Sequence, residues 1–221
     1  MSTTRRGYVR GAGMACAGMF MEAAASTAAE SPDLLSLFAK RQSVRRYKPD
    51  PVPQEHLTRI LDAARRAPTS GNQQPWKFLV VRDPAKIAAM KARCLQSYES
   101  RLLELPEDKR VARRREIEKS AGGYFSAPVY VVVLTDSQSE YPSYNHHDGP
   151  LAAGYLMLAA RALGYGTVYI TDAIPEKVTR EVLAIPDRYQ RVCITPIGMP
   201  ESWPEPKAKK KLEELVAYET L

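Results

Sequence analysis

Ala67-Pro68-Thr69-Ser70-Gly71-Asn72-Gln73-Gln74-Pro75-Trp76 sets a run of turn formers and neutral hydrogen-bonding side chains between two apolar segments. Upstream, Leu57, Ile60, Leu61 and Ala64 recur at i, i+3, i+4 and i+7, which is one apolar face of a helix. That helix follows the turn-forming Asp50-Pro51-Val52-Pro53 and ends near Ala67-Pro68. Downstream, Phe78 to Val81 is short, apolar and closed by Asp83-Pro84, the pattern of a buried strand. The loop between them holds no acid, base or nucleophile pair. Its Asn and Gln amides, held in turn geometry, suit a neutral polar heteroaromatic edge that presents both donors and acceptors. The competing reading is an ordinary helix-to-strand connection.

The pattern continues outward as α/β with helices predominating. Ser31-Pro32-Asp33 opens a helix, with Ser31 as N-cap and Pro32 at its first position, that delivers the chain to Arg41. Val129 to Leu134 is an uninterrupted, β-branched strand. Between the two strands Ala85 to Ser120 reads as one long helical segment, with Ile87, Met90, Cys94, Leu95 and Tyr98 on one side. Leu151 to Leu163 is apolar or small almost all round and stops at Gly164, so it must be buried, partly by a second subunit. Thr167 to Ile170 and Val192 to Ile197 are two further strands, separated by a helix from Pro175 to Leu183. His146-His147-Asp148 is placed in a solvent-facing loop before a helix, with Asp148 as that helix's cap.

The 221 residues, 44% of them hydrophobic, are enough for one domain with a substantial core. The formal charge of +7 is scattered: Arg5, Arg6 and Arg10 against Glu22 put +2 of it in residues 1–29. Cys16, Cys94 and Cys193 lie far apart without metal or disulfide spacing, so neither a metal site nor a disulfide is expected. Residues 1–29 have signal-peptide anatomy. Thr4-Arg5-Arg6-Gly7-Tyr8-Val9-Arg10 precedes a small and apolar run, and Ser26-Thr27-Ala28-Ala29 offers a cleavage site. Paired arginines of this kind resemble a twin-arginine export signal, which implies the export machinery as a partner and a periplasmic or exported mature chain of residues 30–221. The apolar run is too short to span a bilayer, so no stable membrane insertion is expected. The alternative is a basic N-terminal tail on a cytoplasmic protein.

Two further clusters flank the central loop. Arg41-Gln42-Ser43-Val44-Arg45-Arg46-Tyr47 sets guanidinium groups and a hydroxyl within a few residues, a fork suited to phosphate. Pro196-Ile197-Gly198-Met199-Pro200, then Trp203 and Pro206-Lys207-Ala208-Lys209-Lys210-Lys211, reads as a basic, proline-led extension laid on the surface.

In this order and at these separations the three segments resemble the nitroreductase family of flavoproteins, over roughly Leu34 to Val216. The resemblance implies an α/β (α+β) fold with a central, mostly antiparallel sheet flanked by helices, in an intertwined homodimer. It implies FMN as cofactor. The R-x-S-x-R segment, Arg41, Gln42, Ser43 and Arg45, would hold the FMN phosphate with Lys207 and Lys209. Pro68, Thr69, Ser70 and Asn72 would contact flavin and ribityl groups, and Tyr169, Ile170 and Thr171 would approach the isoalloxazine ring. Many members carry two glycines, or an acid and a glycine, where this chain has Thr171-Asp172. No side chain is expected to be catalytic, because the flavin N5 carries the chemistry. The function implied is ping-pong two-electron reduction of a small-molecule acceptor such as a nitroaromatic or quinone, with NADH or NADPH as donor. The rivals are a specialised reductase or dehalogenase with a non-nicotinamide donor and its substrate under the Ala85 to Ser120 segment, a flavin carrier without turnover, and a basic nucleic-acid-binding module using Lys109 to Arg115 and Lys207 to Lys211. No nucleic-acid partner is expected.

Overall fold

The computed structural model describes residues 34–221, with the side chains of residues 100 and 101 set aside. The N-terminal signal and the Ser31-Pro32-Asp33 helix start lie outside the described residues. The order is α1 (Leu34–Lys40), α2 (Gln54–Ala64), β1 (Trp76–Val81), α3 (Pro84–Leu103), α4 (Glu107–Tyr124), β2 (Val129–Asp136), α5 (Asn145–Ala162), β3 (Gly166–Thr167), α6 (Glu176–Leu183) and β4 (Tyr189–Gly198). The four strands form one sheet in the order β1-β2-β4-β3, every pairing antiparallel.

Strand β2 explains the layering. It is buried along almost its whole length, so its alternate residues must be covered on both faces. Tyr130, Val132 and Leu134 pack with Met90 and Cys94 of α3, Ala121 of α4 and Val178 of α6. Val129, Val131 and Val133 pack with Leu57, Ile60 and Ala64 of α2 and Ala153, Leu156 and Ala160 of α5. The result is three layers: α2 and α5, the sheet, then α3, α4 and α6.

Several boundaries differ from the sequence reading, each for a local reason. The Ala85–Ser120 segment is two helices, because Pro106 interrupts it and becomes the N-cap of α4. β3 is only two residues long; Ile170 rejoins the sheet through a single bridge to Ile194. Helix α5 begins at Asn145, six residues before the expected Leu151, with Pro150 inside it. His146, His147 and Asp148 are therefore helical, not loop, and Asp148 is not a cap. Buried Asn145 anchors the start, donating from Nδ2 to the Asp136 carbonyl at 2.8 Å and accepting from Ser139 Oγ at 3.1 Å. The far end follows expectation. Gly164 has φ +85°, Tyr165 N donates to Ala160 O and Gly164 N to Arg161 O, the paired bonds of a Schellman C-terminus.

The early part of α5 lies hard against the sheet. The β2–β4 register shifts between Val133 and Leu134, leaving Val192 as a bulged residue. A Cβ on Gly149 would come within 2.4 Å of Val192 Cγ2 and 3.0 Å of Thr135 Cγ2. Gly149→Ala should therefore cost about 1–3 kcal/mol by overpacking. Urea unfolding would read this as a lower midpoint at unchanged slope, and an unchanged midpoint would show that the contact is not tight.

Candidate functional site

The loop after α2 is held in an uncommon backbone conformation. Gly71, Asn72 and Gln74 all have positive φ, at +56°, +56° and +48°, and only the first is a residue that adopts this region freely. Side chains hold it there. Gln74 N donates to Thr69 Oγ1 at 3.2 Å, and Gln74 Nε2 donates to Asn72 O and Oδ1, both at 3.2 Å. The main fixture is Asp148, only 2% exposed, in the first turn of α5. Its Oδ1 accepts from Ser70 N at 3.1 Å and Ser70 Oγ at 3.5 Å, and its Oδ2 accepts from Gln73 Nε2 at 2.7 Å. The amide orientation of Gln73 is set from its other side, where Oε1 accepts from Tyr141 N at 2.7 Å and Nε2 donates to Tyr141 O at 3.1 Å. A carboxylate in the first turn also meets the positive end of the helix dipole. Pro68, Thr69, Ser70 and Asn72 are thus presented by a latched loop that is exposed or half-buried.

The Arg41–Arg45 segment is fixed elsewhere. Ser43 bridges Thr167 in parallel, and Val44 N donates to Thr167 O at 3.0 Å. Arg161, near the end of α5, donates from Nε to Lys40 O at 3.1 Å. The exposed Arg45 guanidinium donates to Tyr124 Oη at 3.2 Å and Ser43 O at 3.4 Å. A Cβ on Gly123 would lie 2.7 Å from Arg45 O, so the end of α4 closes on this segment directly. Gln42 turns back to Ala39 O at 3.3 Å. Buried Tyr47 donates its hydroxyl to Val44 O, and burial raises its pKa further above the phenol range.

The exit of β4 runs beside the same segment: Tyr47 bridges Pro200, Lys48 N donates to Met199 O and Glu201 N donates to Arg46 O. Beyond it the chain is an exposed arm carrying Lys207 and Lys209. Among the described residues neither lysine makes an ion pair with a carboxylate. Arg161 stacks its guanidinium over Trp203, 3.7 Å from the ring centroid, which ties the base of the arm to α5.

The stretch Tyr169 to Thr171 continues from β3 and leads into residues 172–174. Its fixtures come from β4 and α3. Arg191 donates from Nη2 to Thr171 O at 2.5 Å and from Nη1 to Ile174 O at 2.7 Å and Thr179 Oγ1 at 3.3 Å. The Tyr98 hydroxyl is shared between Asp172 O at 3.3 Å and Ala173 O at 3.2 Å, and Cys94 Sγ lies 3.5 Å from Ala173 O. Burial lifts the Cys94 thiol to about 11 and Tyr169 to about 12, so both stay protonated at neutral pH. Tyr98, Cys94 and Ala173, with Tyr124, Arg113 and Lys119 of α4, line a cavity of about 400 Å³ between α3 and α4.

Ser43 and the Tyr169–Thr171 segment are therefore joined through Thr167. The 68–72 loop is not with them. It is pinned at Asp148 and the Arg41 segment at Arg161, which at 1.5 Å per residue lie about 20 Å apart along α5. Sequence reasoning missed Asp148, Gln73, Arg191 and Tyr98 as fixtures. The cue for Asp148 is an acid beside a glycine just ahead of an apolar run, a pattern that reads equally well as a helix cap. Nothing in the sequence pairs Arg191 with Thr171. Among the described residues no group of three or more His, Cys, Asp or Glu could hold a metal, and the exposed His146 and His147 only stack, with centroids 3.8 Å apart.

Comparison with known proteins gives this geometry a lineage. A model for the Nitroreductase family matches residues 38–199. The iodotyrosine deiodinase of Thermotoga neapolitana is 32% identical over 194 residues, covering 85% of this chain and 98% of its own. The NADH dehydrogenase of Thermus thermophilus is 29% identical over 197 residues, covering 81% of this chain and 92% of its own. The solved structure of the FMN-dependent nitroreductase of Clostridium difficile R20291 aligns with a TM-score of 0.64 at 28% identity, over 85% of this chain and 99% of its own. The three segments and the antiparallel sheet that carries them make this chain an enzyme of the nitroreductase family.

Proposed function

We propose that this chain is an FMN-dependent oxidoreductase that carries two electrons from NADH or NADPH to a small electrophilic acceptor, such as a nitroaromatic or quinone, in a ping-pong cycle. The observation that carries this reading is the latched loop. A connection with Gly71, Asn72 and Gln74 in the left-handed region, bound to a buried carboxylate, is held for presenting its donors rather than for joining α2 to β1. FMN, when bound, supplies the hydride chemistry, and the protein supplies orientation, electrostatics and exclusion of water. Arg41, Ser43 and Arg45 form a set of donors suited to its phosphate, with Lys207 and Lys209 completing the charge. Pro68, Thr69, Ser70 and Asn72 suit the flavin and ribityl groups, and Tyr169 to Thr171 the ring. The Thermus relative's name supports NADH as donor.

The separation along α5 supports a homodimer. One copy places its phosphate segment and its amide loop at opposite ends of one helix, whereas a second copy running the other way brings loop to phosphate segment. Leu34, Leu35 and Phe38 on α1, Leu151 and Tyr155 on α5, and Leu212, Leu215 and Tyr218 on the arm are exposed apolar groups for such a partner to cover. A second reading is a specialised reductase of the same family acting on a halogenated aromatic in the α3–α4 cavity, favoured by that cavity and by the deiodinase relative. The nucleic-acid reading loses support because three of the basic residues of the α4 cluster are committed: Arg113 pairs with Glu116, Arg114 with Glu99, and Arg110 caps the carbonyls of Leu103 and Leu105. Export through the twin-arginine route, which carries folded proteins with their cofactor, is an alternative part of the proposal: nicotinamide cofactors are largely cytoplasmic, so an exported enzyme would take its electrons from another donor.

The visible spectrum of the purified protein tests the function. Flavin bands that bleach on anaerobic addition of NADH or NADPH are expected; bands that persist would remove nicotinamide as donor, and no flavin after supplying FMN would overturn the assignment. Asp148→Asn turns a second amide NH2 toward Gln73 Nε2 and should cost about 1–3 kcal/mol, with faster proteolysis between Thr69 and Gln74 and weaker FMN retention. Wild-type proteolysis would show that the latch is dispensable. Replacing Arg5-Arg6 with Lys-Lys should leave the protein unprocessed in the cytoplasm, and an unchanged distribution by fractionation would mean that residues 1–29 are only a tail.

A further inference from the structure

Thr171 to Ile174 is irregular backbone, yet all four of its carbonyls are taken by side chains. Arg191 takes those of Thr171 and Ile174, while Tyr98 and Cys94 take those of Asp172 and Ala173. The donors come from opposite sides: Arg191 stands on β4, at the rigid centre of the fold, and Tyr98 on α3, over the cavity. Each trans peptide plane sets its N–H opposite its C=O. The Asp172 N–H is thus turned away from Arg191 and the Ala173 and Ile174 N–H groups away from Tyr98, and none of them donates to another described residue. They are what the segment can offer to a bound group.

Arg191 is also an unusual choice for a mere loop tie. No carboxylate lies within ion-pair distance of it among the described residues, and its partners are two carbonyls and the fully buried Thr179 hydroxyl. Desolvation lowers its pKa, the mark of a cation held in a place that disfavours charge. A half-buried cation without an opposite charge beside it costs stability unless something else retains it.

We propose that Arg191, opposed by Tyr98, is a positioning residue of the redox site, fixing Thr171–Ile174 beside the flavin ring and linking that segment through α3 to the α3–α4 cavity. This rests on the FMN reading above. It predicts that loosening either side changes the environment of the flavin ring while the phosphate segment, fixed separately at Thr167 and Arg161, still holds the cofactor.

The test compares wild type with Arg191→Gln, Arg191→Lys and Tyr98→Phe, each reconstituted with FMN. The measurements are the FMN dissociation constant, the visible circular dichroism of the bound flavin, its redox equilibrium with a reference dye, and the melting temperature of the apoprotein. Arg191→Gln and Tyr98→Phe should retain FMN but alter the dichroism and shift the dye equilibrium about tenfold, which is about 30 mV for a two-electron couple. Arg191→Lys should recover part of the shift, since one ammonium reaches one carbonyl. Flavin reduction should slow by up to roughly 100-fold, the size expected for misplacement of a reacting group. A lower melting temperature with wild-type dichroism and dye equilibrium would overturn the proposal and leave Arg191 as a structural tie. Should Arg191→Gln fail to fold, Tyr98→Phe, on a surface helix, decides alone by the same two optical readouts. A wild-type protein that takes up no FMN would overturn this inference together with the reading beneath it, whereas flavin-loaded variants indistinguishable from wild type would overturn this inference only.

Discussion

A strand that buries both faces must be covered twice, and the rest of this molecule follows from that requirement at β2. Its two sets of alternating residues call up two helical layers, α2 with α5 on one side and α3, α4 and α6 on the other. The covering helices are not passive. Each layer brings one fixture to the candidate site, Asp148 from α5 to the 68–72 loop and Tyr98 from α3 to residues 172–173. Packing that serves the hydrophobic effect therefore also sets the reach and direction of the polar groups.

The two fixtures share a logic. Asp148 and Arg191 are ionisable side chains that bind backbone or amide groups of an irregular segment instead of each other or an opposite charge. Irregular backbone near a ligand cannot be held by strand or helix ladders, so its polar groups are satisfied by side chains projecting from regular elements behind it. Charged groups make stronger hydrogen bonds than neutral ones. That the latch holds three left-handed residues and the clamp four carbonyls is one solution used twice.

Much of this was legible in the sequence because it rests on local patterns. The β-branched run at Val129–Leu134, the apolar face of α2 and the terminal Gly164 each report their own structure. The three site segments were legible as a set, and the family followed from their order. What was not legible is non-local. Asp148 lies 78 positions from Ser70 and Arg191 20 from Thr171, and no periodicity links them. The apolar run that marks α5 begins only at Leu151, whereas the contacts of Asn145 and Asp148 extend the helix back through Pro150 and outweigh the one backbone bond that it removes. Pro106 was the opposite error, a break overlooked inside an apparently continuous helical pattern.

The two described cysteines illustrate how layering limits chemistry. Cys94 sits in the core on the α3 side of the sheet and Cys193 in the core on the α5 side, each buried, with burial raising the Cys193 thiol to about 12. A disulfide needs two β-carbons that face one another, which side chains on opposite faces of a sheet do not, and a protonated buried thiol is a poor nucleophile. These positions are therefore covalently inert toward each other under oxidising and reducing conditions alike. The folded domain can pass from one redox compartment to another without a change of connectivity there.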